Sequence, residues 1–287
     1  MKVGIAFANV GPFTDPDNLA HLALTAESVG IESIWSVEHV VVPIGYQSEY
    51  PYDKSGKIPG GEFAPIPDPL LPLAYVAAVT KTIRLATGIL ILPQRHPTYV
   101  AKEAATLDVL SKGRAILGIG VGWLREEFDA VDVDFETRGS RTKESVRAIR
   151  SLWSGEPEEF EGRFFNWGKV QSLPKPVQAG GVPIVMGGHT ELAAKRAARY
   201  CDGFFPAKGS REELANLYGV IRSECEKLGR DPSEIELTAS APGMDLDAIK
   251  SYEDLGVSRV LIGPPGYSRE DIEKNLAALG DSVLSKL

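Results

Sequence analysis

What the chain has little of narrows it first. Cys201 and Cys225 are the only cysteines in 287 residues, without the spacing of a redox motif or a zinc site. Two isolated thiols exclude a disulfide scaffold and fit a reducing compartment. No apolar run approaches the ~20 residues needed to cross a bilayer. Met1–Phe7 reads straight into a strand, with no charged leader or small-residue cleavage site. The expectation is a cytoplasmic protein. Basic residues are in deficit, 31 Lys and Arg against 39 Asp and Glu, for a net charge of −8. Such a surface repels polyanions, which argues against nucleic acid or an anionic membrane as partner and leaves a small molecule. No Gly-x-Gly-x-x-Gly follows the first apolar run, which disfavours a Rossmann-type sheet. Histidines number four, none at metal-ligand spacing from another, and no metal is expected.

What is present is a rhythm: a short apolar run, then a segment of helical period, repeated. Strands are predicted at Lys2–Ala8, Ser33–Val37, Ile83–Leu92, Arg114–Gly120, Val182–Met186, Gly203–Phe205, Glu234–Ala239 and Arg259–Ile262. The helices between and after them fall at 15–29, 70–80, 98–110, 140–153, 191–200, 211–228, 246–255 and 269–285. Asp15 or Asp17 is the expected N-cap of the first helix and Gly30 its terminator. Near-continuous Val/Ile/Leu strands separated by helices specify a parallel sheet covered on both faces. Eight units in this length favour one α/β domain over residues 1–287, a (β/α)₈ TIM-type barrel, over an open eight-stranded sheet.

Two insertions break the rhythm. The first, 40–69, follows the second strand and is rich in Pro, Gly, Tyr and Asp. It leaves from the carboxyl end of a strand, where barrels carry their active sites, and reads as a lid or substrate wall, with Tyr46, Tyr50, Tyr52 and Phe63 as candidate lining. The second, 155–178, belongs to the fourth unit and reads as an aromatic hairpin, placed after a helix and therefore at the amino-terminal face or on the outside of the barrel.

Three of the four histidines, His39, His96 and His189, stand at strand exits. His189 belongs to Gly187-Gly188-His189-Thr190, a strand ending in two glycines before a helix. That pattern suits a phosphate, because glycines admit a ligand close to the backbone and a helix start offers free N–H groups. An ordinary capped turn reads the same way. Gly113–Trp123 alternates glycine along a strand exit, which permits close approach of a flat ring; no helix opens directly on it, so it is a poor phosphate loop.

In their order along the chain, Trp35-Ser36-Val37-Glu38-His39, Thr87–Pro97, Ala101–Asp108, Ser111-Lys112-Gly113-Arg114, Gly118–Trp123, Gly187-Gly188-His189 and Ala197–Gly203 resemble the luciferase-like flavin and deazaflavin oxidoreductases. Within these the chain is similar to the coenzyme F420-dependent oxidoreductases. The resemblance implies a cofactor ring over a non-proline cis peptide near Gly88-Ile89. Thr87, Gly88, Ile89, Gly120, Val121 and Gly122 would border that ring, and Gly187, Gly188, His189 and Thr190 would hold its phosphate. His39 would stand against the ring as acid/base, with Trp35, Tyr46 and Trp123 at the substrate. It also implies a homodimer, hydride transfer to or from a small organic substrate, and F420 as cofactor. FMN, in an oxygen-using monooxygenase with a partner reductase, is the alternative, and a non-catalytic cofactor carrier a third reading. Relatives that oxidise sugar phosphates carry a Glu where this chain has Trp123, which points to a more apolar or aromatic substrate. Glu126 and Glu127 follow on a helix turn. Whether Arg138, Arg141, Lys143, Lys195 and Arg196 converge into a channel for the anionic F420 tail is a question of tertiary structure.

Overall fold

The computed structural model describes residues 1–287. Eight parallel strands form the wall: β1 (Lys2–Ile5), β2 (Ser33–Ser36), β3 (Arg84–Thr87, resuming at Leu90–Ile91), β4 (Ala115–Gly120), β5 (Ile184–Gly187), β6 (Gly203–Phe205), β7 (Glu236–Ser240) and β8 (Arg259–Ile262). Each pairs with the next, and β8 pairs with β1 through Lys2↔Arg259 to Ile5↔Ile262, so the sheet closes. The expected (β/α)₈ barrel is the observed one. No helix is long and apolar enough to cross a membrane.

The helices are α1 (Pro16–Val29), α2 (Leu70–Val79), α3 (Pro97–Ser111), α4 (Arg125–Ala130), α5 (Arg138–Trp153), α6 (Glu191–Tyr200), α7 (Arg211–Leu228), α8 (Leu246–Lys250) and α9 (Arg269–Ser282). Their ends follow local chemistry. The Asp15 carboxylate accepts from Asn18 N–H at 3.0 Å, Pro16 opens α1, and Gly30 ends it in the left-handed region at φ 93°. Ser210 and Glu213 form a reciprocal capping box on α7. Two elements depart from expectation. α4 is an extra helix between β4 and α5, and the helix expected over 246–255 is a five-residue α8 followed by a short 3₁₀ turn at Glu253–Leu255.

One large apolar cluster lies between the wall and the helices. A second fills the barrel itself, with Trp35, Ala86, Ile116, Val185, Phe205 and Leu261. Below them, at the amino-terminal end, the fully buried Arg259 pairs with Glu32 at 2.7 Å and with Glu236, and its guanidinium lies 5.7 Å from the Trp35 ring. The barrel is therefore plugged below and open only above.

The hairpin Glu158–Glu161/Asn166–Val170 packs along the outside, as one of its two expected placements had it. The Glu144 carboxylate on α5 accepts from the N–H groups of Arg163, Phe164 and Phe165 at its turn, and Phe165 meets the ring of His96. His96 is the N-cap of α3 and takes a structural place on the barrel flank.

The glycines of β4 serve close packing. A Cβ at Gly118 would lie 1.9 Å from the Thr87 carbonyl oxygen, a backbone atom that cannot swing away. Gly118→Ala is expected to cost on the order of 3 kcal/mol in urea unfolding. Gly219 sits inside α7 with nothing within 4 Å of an added Cβ. Gly219→Ala is expected to stabilise by about 0.5–1 kcal/mol, because Ala loses less backbone entropy in a helix. Equal midpoints for the two variants would contradict this packing.

Candidate active site

Strand parity and the strand ends set what faces the open rim. A cleft of about 940 Å³ lies there, walled by the exits of β1 to β6 and by the 40–69 segment. Its floor is the break in β3. The Gly88–Ile89 peptide is cis, as the resemblance implied. It turns the Ile89 side chain across the barrel mouth, where a Cβ at Gly120 would meet it at 2.4 Å and one at Gly187 at 2.6 Å. Those glycines make room for Ile89, which itself lines the cleft.

His39 stands three residues beyond the end of β2 and lines the cleft. Its Nδ1 lies 3.0 Å from Oε2 of Glu127, a carboxylate with no solvent exposure. The other oxygen, Oε1, accepts from Val40 N–H at 2.7 Å and more loosely from Val41 N–H at 3.4 Å. A carboxylate only accepts, so the proton of a neutral His39 resides on Nδ1 and Nε2 is left as the working atom. Nε2 has no hydrogen-bond partner within the chain. Glu127 sits on α4 because Leu124 and Phe128, both buried, turn that helix inward. Sequence reasoning named Glu127 without a role. Its signal was the spacing of Leu124 and Phe128 around it, which buries that face of the helix.

Trp123 also lines the cleft, in edge contact with His39 at 5.7 Å and with Tyr50 at 5.2 Å. Tyr50, Tyr52 and Phe63 line it as expected of the lid. Tyr46 does not. It is buried in the lid's own small core with Ile58 and Leu124, its hydroxyl accepting from Ile58 N–H at 2.8 Å. Trp35 also lies away from the cleft, being inside the barrel with its indole N–H on Ser33. Thr87 is buried too, its hydroxyl donating to the Gly118 carbonyl at 2.6 Å. Gly88, Ile89, Gly120, Val121, Gly122, Gly187, Gly188, His189 and Thr190 all border the cleft.

The far end is cationic. Thr190 caps α6, accepting from Ala193 N–H at 3.2 Å, and its hydroxyl hydrogen remains free. His189 Nδ1 is buried without a partner. Burial, followed by the Lys208 cation, lowers the His189 pKa, so this ring is neutral at pH 7. Arg196 lines the cleft without any carboxylate within ion-pair distance. Its guanidinium lies where a Cβ at Gly139 would touch it, next to Arg138. Burial lowers the Arg138 pKa, Glu136 opposes this, and the Arg196 and Arg125 cations lower it further. Of the candidate cations, then, Arg196 alone lines the cleft; Arg138 lies beside it with its guanidinium over the Phe135 ring, Arg141 stacks on Phe164 and Phe165, and Lys195 pairs with Glu191. Lys143 lines no part of the cleft. Arg196 and Lys208, neither within ion-pair distance of a carboxylate, thus stand with the α6 start and an orphan ring nitrogen at this end of the cleft, a donor set whose chemistry suits an anion.

The class is a closed (β/α)₈ barrel whose carboxyl rim carries a histidine paired with a buried carboxylate and, across the cleft, unpaired cations beside a helix start. Comparison with known proteins gives the family. Residues 1–244 match the model of the luciferase-like monooxygenases, and the chain belongs to that family. It is 31% identical over 290 residues to the uncharacterized protein Rv0940c of Mycobacterium tuberculosis, covering 98% of this chain and 99% of that one. It is 34% identical over 229 residues to the F420-dependent glucose-6-phosphate dehydrogenase of Kineococcus radiotolerans, covering 78% of this chain and 62% of the relative. In fold it matches the solved structure of an F420-dependent secondary alcohol dehydrogenase in complex with an F420–acetone adduct. That match has a TM-score of 0.79 at 19% identity and covers 99% of this chain and 98% of the other.

Replacing Glu127 tests the pair without knowledge of a substrate. Glu127→Ala leaves buried N–H groups unpaired and should cost roughly 3 kcal/mol. Glu127→Gln should hold the fold within roughly 1–2 kcal/mol while weakening the Nδ1-protonated tautomer, read from ¹⁵N chemical shifts of His39. An unchanged tautomer in Glu127→Gln would show that the carboxylate does not set it.

Proposed function

We propose that the chain is a coenzyme F420-dependent oxidoreductase that moves a hydride between the deazaflavin and a small organic substrate. The observation that carries this reading is the layout of one cleft, with the His39–Glu127 pair at one end and the unpaired Arg196, Lys208 and α6 start at the other. The cis Gly88–Ile89 step lies in the floor. The residues fit the cofactor: Gly187–Thr190 with Arg196 would hold its phosphate, and Ile89 would support its ring. When bound, the deazaflavin supplies two-electron hydride chemistry. The protein supplies position and a proton. His39, held by Glu127 through Nδ1, takes a proton at Nε2 when a substrate hydroxyl is oxidised and returns it when a carbonyl is reduced. Trp123 and the lid tyrosines exclude water from that atom.

A second reading, an FMN-dependent monooxygenase, draws support from the family's own description and from one feature. Beyond Lys208 a shelf of about 500 Å³ is lined by Glu191 and Glu213 beside Ser210 and Asn216. Two carboxylates there suit a cofactor whose charge ends at its first phosphate better than a polyglutamate tail.

We further infer a homodimer formed through α2. That helix, Leu-Leu-Pro-Leu-Ala-Tyr-Val-Ala-Ala-Val, has no charged residue, and Leu71, Tyr75 and Val79 are exposed, as are Tyr99 and Leu110 of the neighbouring α3. A helix apolar all round is normally covered on both sides. In sedimentation the chain is expected at twice its monomer mass, and Leu71→Asp with Tyr75→Asp should halve it. A monomeric wild-type chain would overturn this.

Titration of the apo-protein with F420 and with FMN, followed by ring fluorescence, decides the cofactor. Tight F420 and weak FMN binding is expected, with Arg196→Ala weakening F420 roughly tenfold or more. His39→Ala should leave that affinity near wild type while turnover falls by 10²-fold or more, the usual share of a general acid/base. Preference for FMN would transfer the assignment to the monooxygenase.

A further inference from the structure

The cleft is divided by charge, and the division selects a substrate. Its cations, Arg196 and Lys208, stand at the Gly187–Thr190 end, with Lys208 also donating to the Pro51 carbonyl of the lid. The Glu38 carboxylate is already engaged, one oxygen by Ile91 N–H and the other by Arg95. Burial, with a smaller push from Tyr50, raises the Tyr52 phenol to about 12, so that group stays neutral. Burial likewise raises Tyr50, helped by Asp53 and Tyr46.

On the β1, β2 and lid side the walls are different. Phe7, Val10, Val37, Phe63, Pro65 and Ile66 line the cleft there, and none carries a charge or a polar side-chain atom. Ile66 and Trp123 pack on the same small lid core, so this apolar wall runs on to the edge of His39. Two of its aromatic side chains are left bare, Phe7 at 45% exposed and Phe63 at 85%. Phe7 also holds φ 59°, a conformation that costs a non-glycine residue roughly 1–2 kcal/mol and that concentrates at functional positions. The presentation is firm on the β1 side. Asn9, with no exposure, accepts from Val37 N–H at 2.8 Å and donates to the Val37 carbonyl at 2.9 Å, and its Nδ2 also reaches the Pro67 carbonyl at 3.4 Å. That ties the loop bearing Phe7 to β2 and to the end of the lid.

We infer that the molecule reacting at His39 is uncharged and carries an aromatic or branched-alkyl body, which this wall holds through Phe7 and Phe63. The inference rests on the cleft being the reaction chamber, and it deepens that reading by naming the substrate class. An anionic body would be desolvated against a wall whose side chains offer no donor to receive it, at a cost the apolar contacts do not return. An apolar body covers exposed aromatic surface and gains by it.

The test uses two ketones on one scaffold, 4-methylacetophenone and the anionic 4-acetylbenzoate, titrated calorimetrically into the cofactor-free and the F420-loaded protein. The neutral ketone is expected to bind at least tenfold more tightly than the carboxylate. Phe63→Ala, at an exposed position that leaves folding intact, should weaken it roughly fivefold to tenfold, and Phe7→Leu should weaken it as well. Equal or tighter binding of 4-acetylbenzoate would overturn the inference, as would 4-methylacetophenone affinity indifferent to both variants. The cofactor titration fails or succeeds separately. Phe63-dependent ketone binding in a chain that ignores F420 would keep the apolar subsite and remove the deazaflavin.

Discussion

The rim of this barrel is organised by one buried carboxylate. Glu127 has no contact with solvent, and an ionised group so placed costs several kcal/mol unless its oxygens are fully hydrogen-bonded. The donors that meet this need come from a different part of the chain, the His39 ring and the Val40 and Val41 amides. Satisfying Glu127 therefore fixes three things together: the orientation of the imidazole, the direction in which the lid leaves β2, and the seat of α4 on the barrel mouth. Trp123 follows from this. It lies four residues before Glu127, after Gly122, whose φ of 80° and contact with Phe128 admit no side chain. The ring is thereby delivered between His39 and Tyr50.

The motifs that carry the family resemblance turn out to do two kinds of work. Ser111-Lys112-Gly113-Arg114 is structural. Lys112 and Gly113 take positive φ to end α3, and Arg114 donates to the carbonyls of Ala77, Thr80 and Ile83, closing the end of α2. Asp108 likewise receives Val177, Gln178 and the Gln178 amide, fastening the long connection that follows the hairpin. The Gly118–Gly122 run also has an internal cause, because its missing side chains are replaced by Thr87, Ile89 and Phe128. Gly187–Thr190, and His39 through its free Nε2, face the cleft with unused hydrogen-bonding capacity.

This explains which parts were legible in the sequence. The barrel was, because each strand–helix unit carries its own caps and periodicity, and those signals are local. The eleven cleft-lining positions expected from Gly88 to Thr190 and at His39 were legible as well, since they sit at strand exits and closure of the wall brings strand exits together. Trp35 and Thr87 were misplaced for a reason of parity. They occupy strand positions whose side chains enter the packed interior, and a continuous apolar run hides that alternation. Tyr46 was misplaced because a long segment can build a core of its own, and nothing local separates a tyrosine that faces that core from one that faces a ligand. Glu127, Arg138 and Arg196 became meaningful only through contacts spanning tens of residues. Phe7 was invisible because a positive φ at phenylalanine has no composition signature.

The orientation of chemistry within the cleft follows from the same arrangement. Charge is sorted along its length: cations and an open helix start beyond Gly187, neutral aromatic groups near Trp123, and an apolar wall on the lid side. A molecule with one anionic end and one flat uncharged end has a single favourable direction in such a space. Reversal would put the anion against Phe7 and Phe63, with no donor to replace its water. The flat end is then carried over Ile89 towards His39, whose Nε2 is left free by the hold of Glu127 on Nδ1. On the proposed reading, binding direction and reaction site are coupled through the fold. Neither needs the lid to move, because the residues that set them, Thr190, Ile89 and His39, stand on strand ends or a helix cap held by the closed wall.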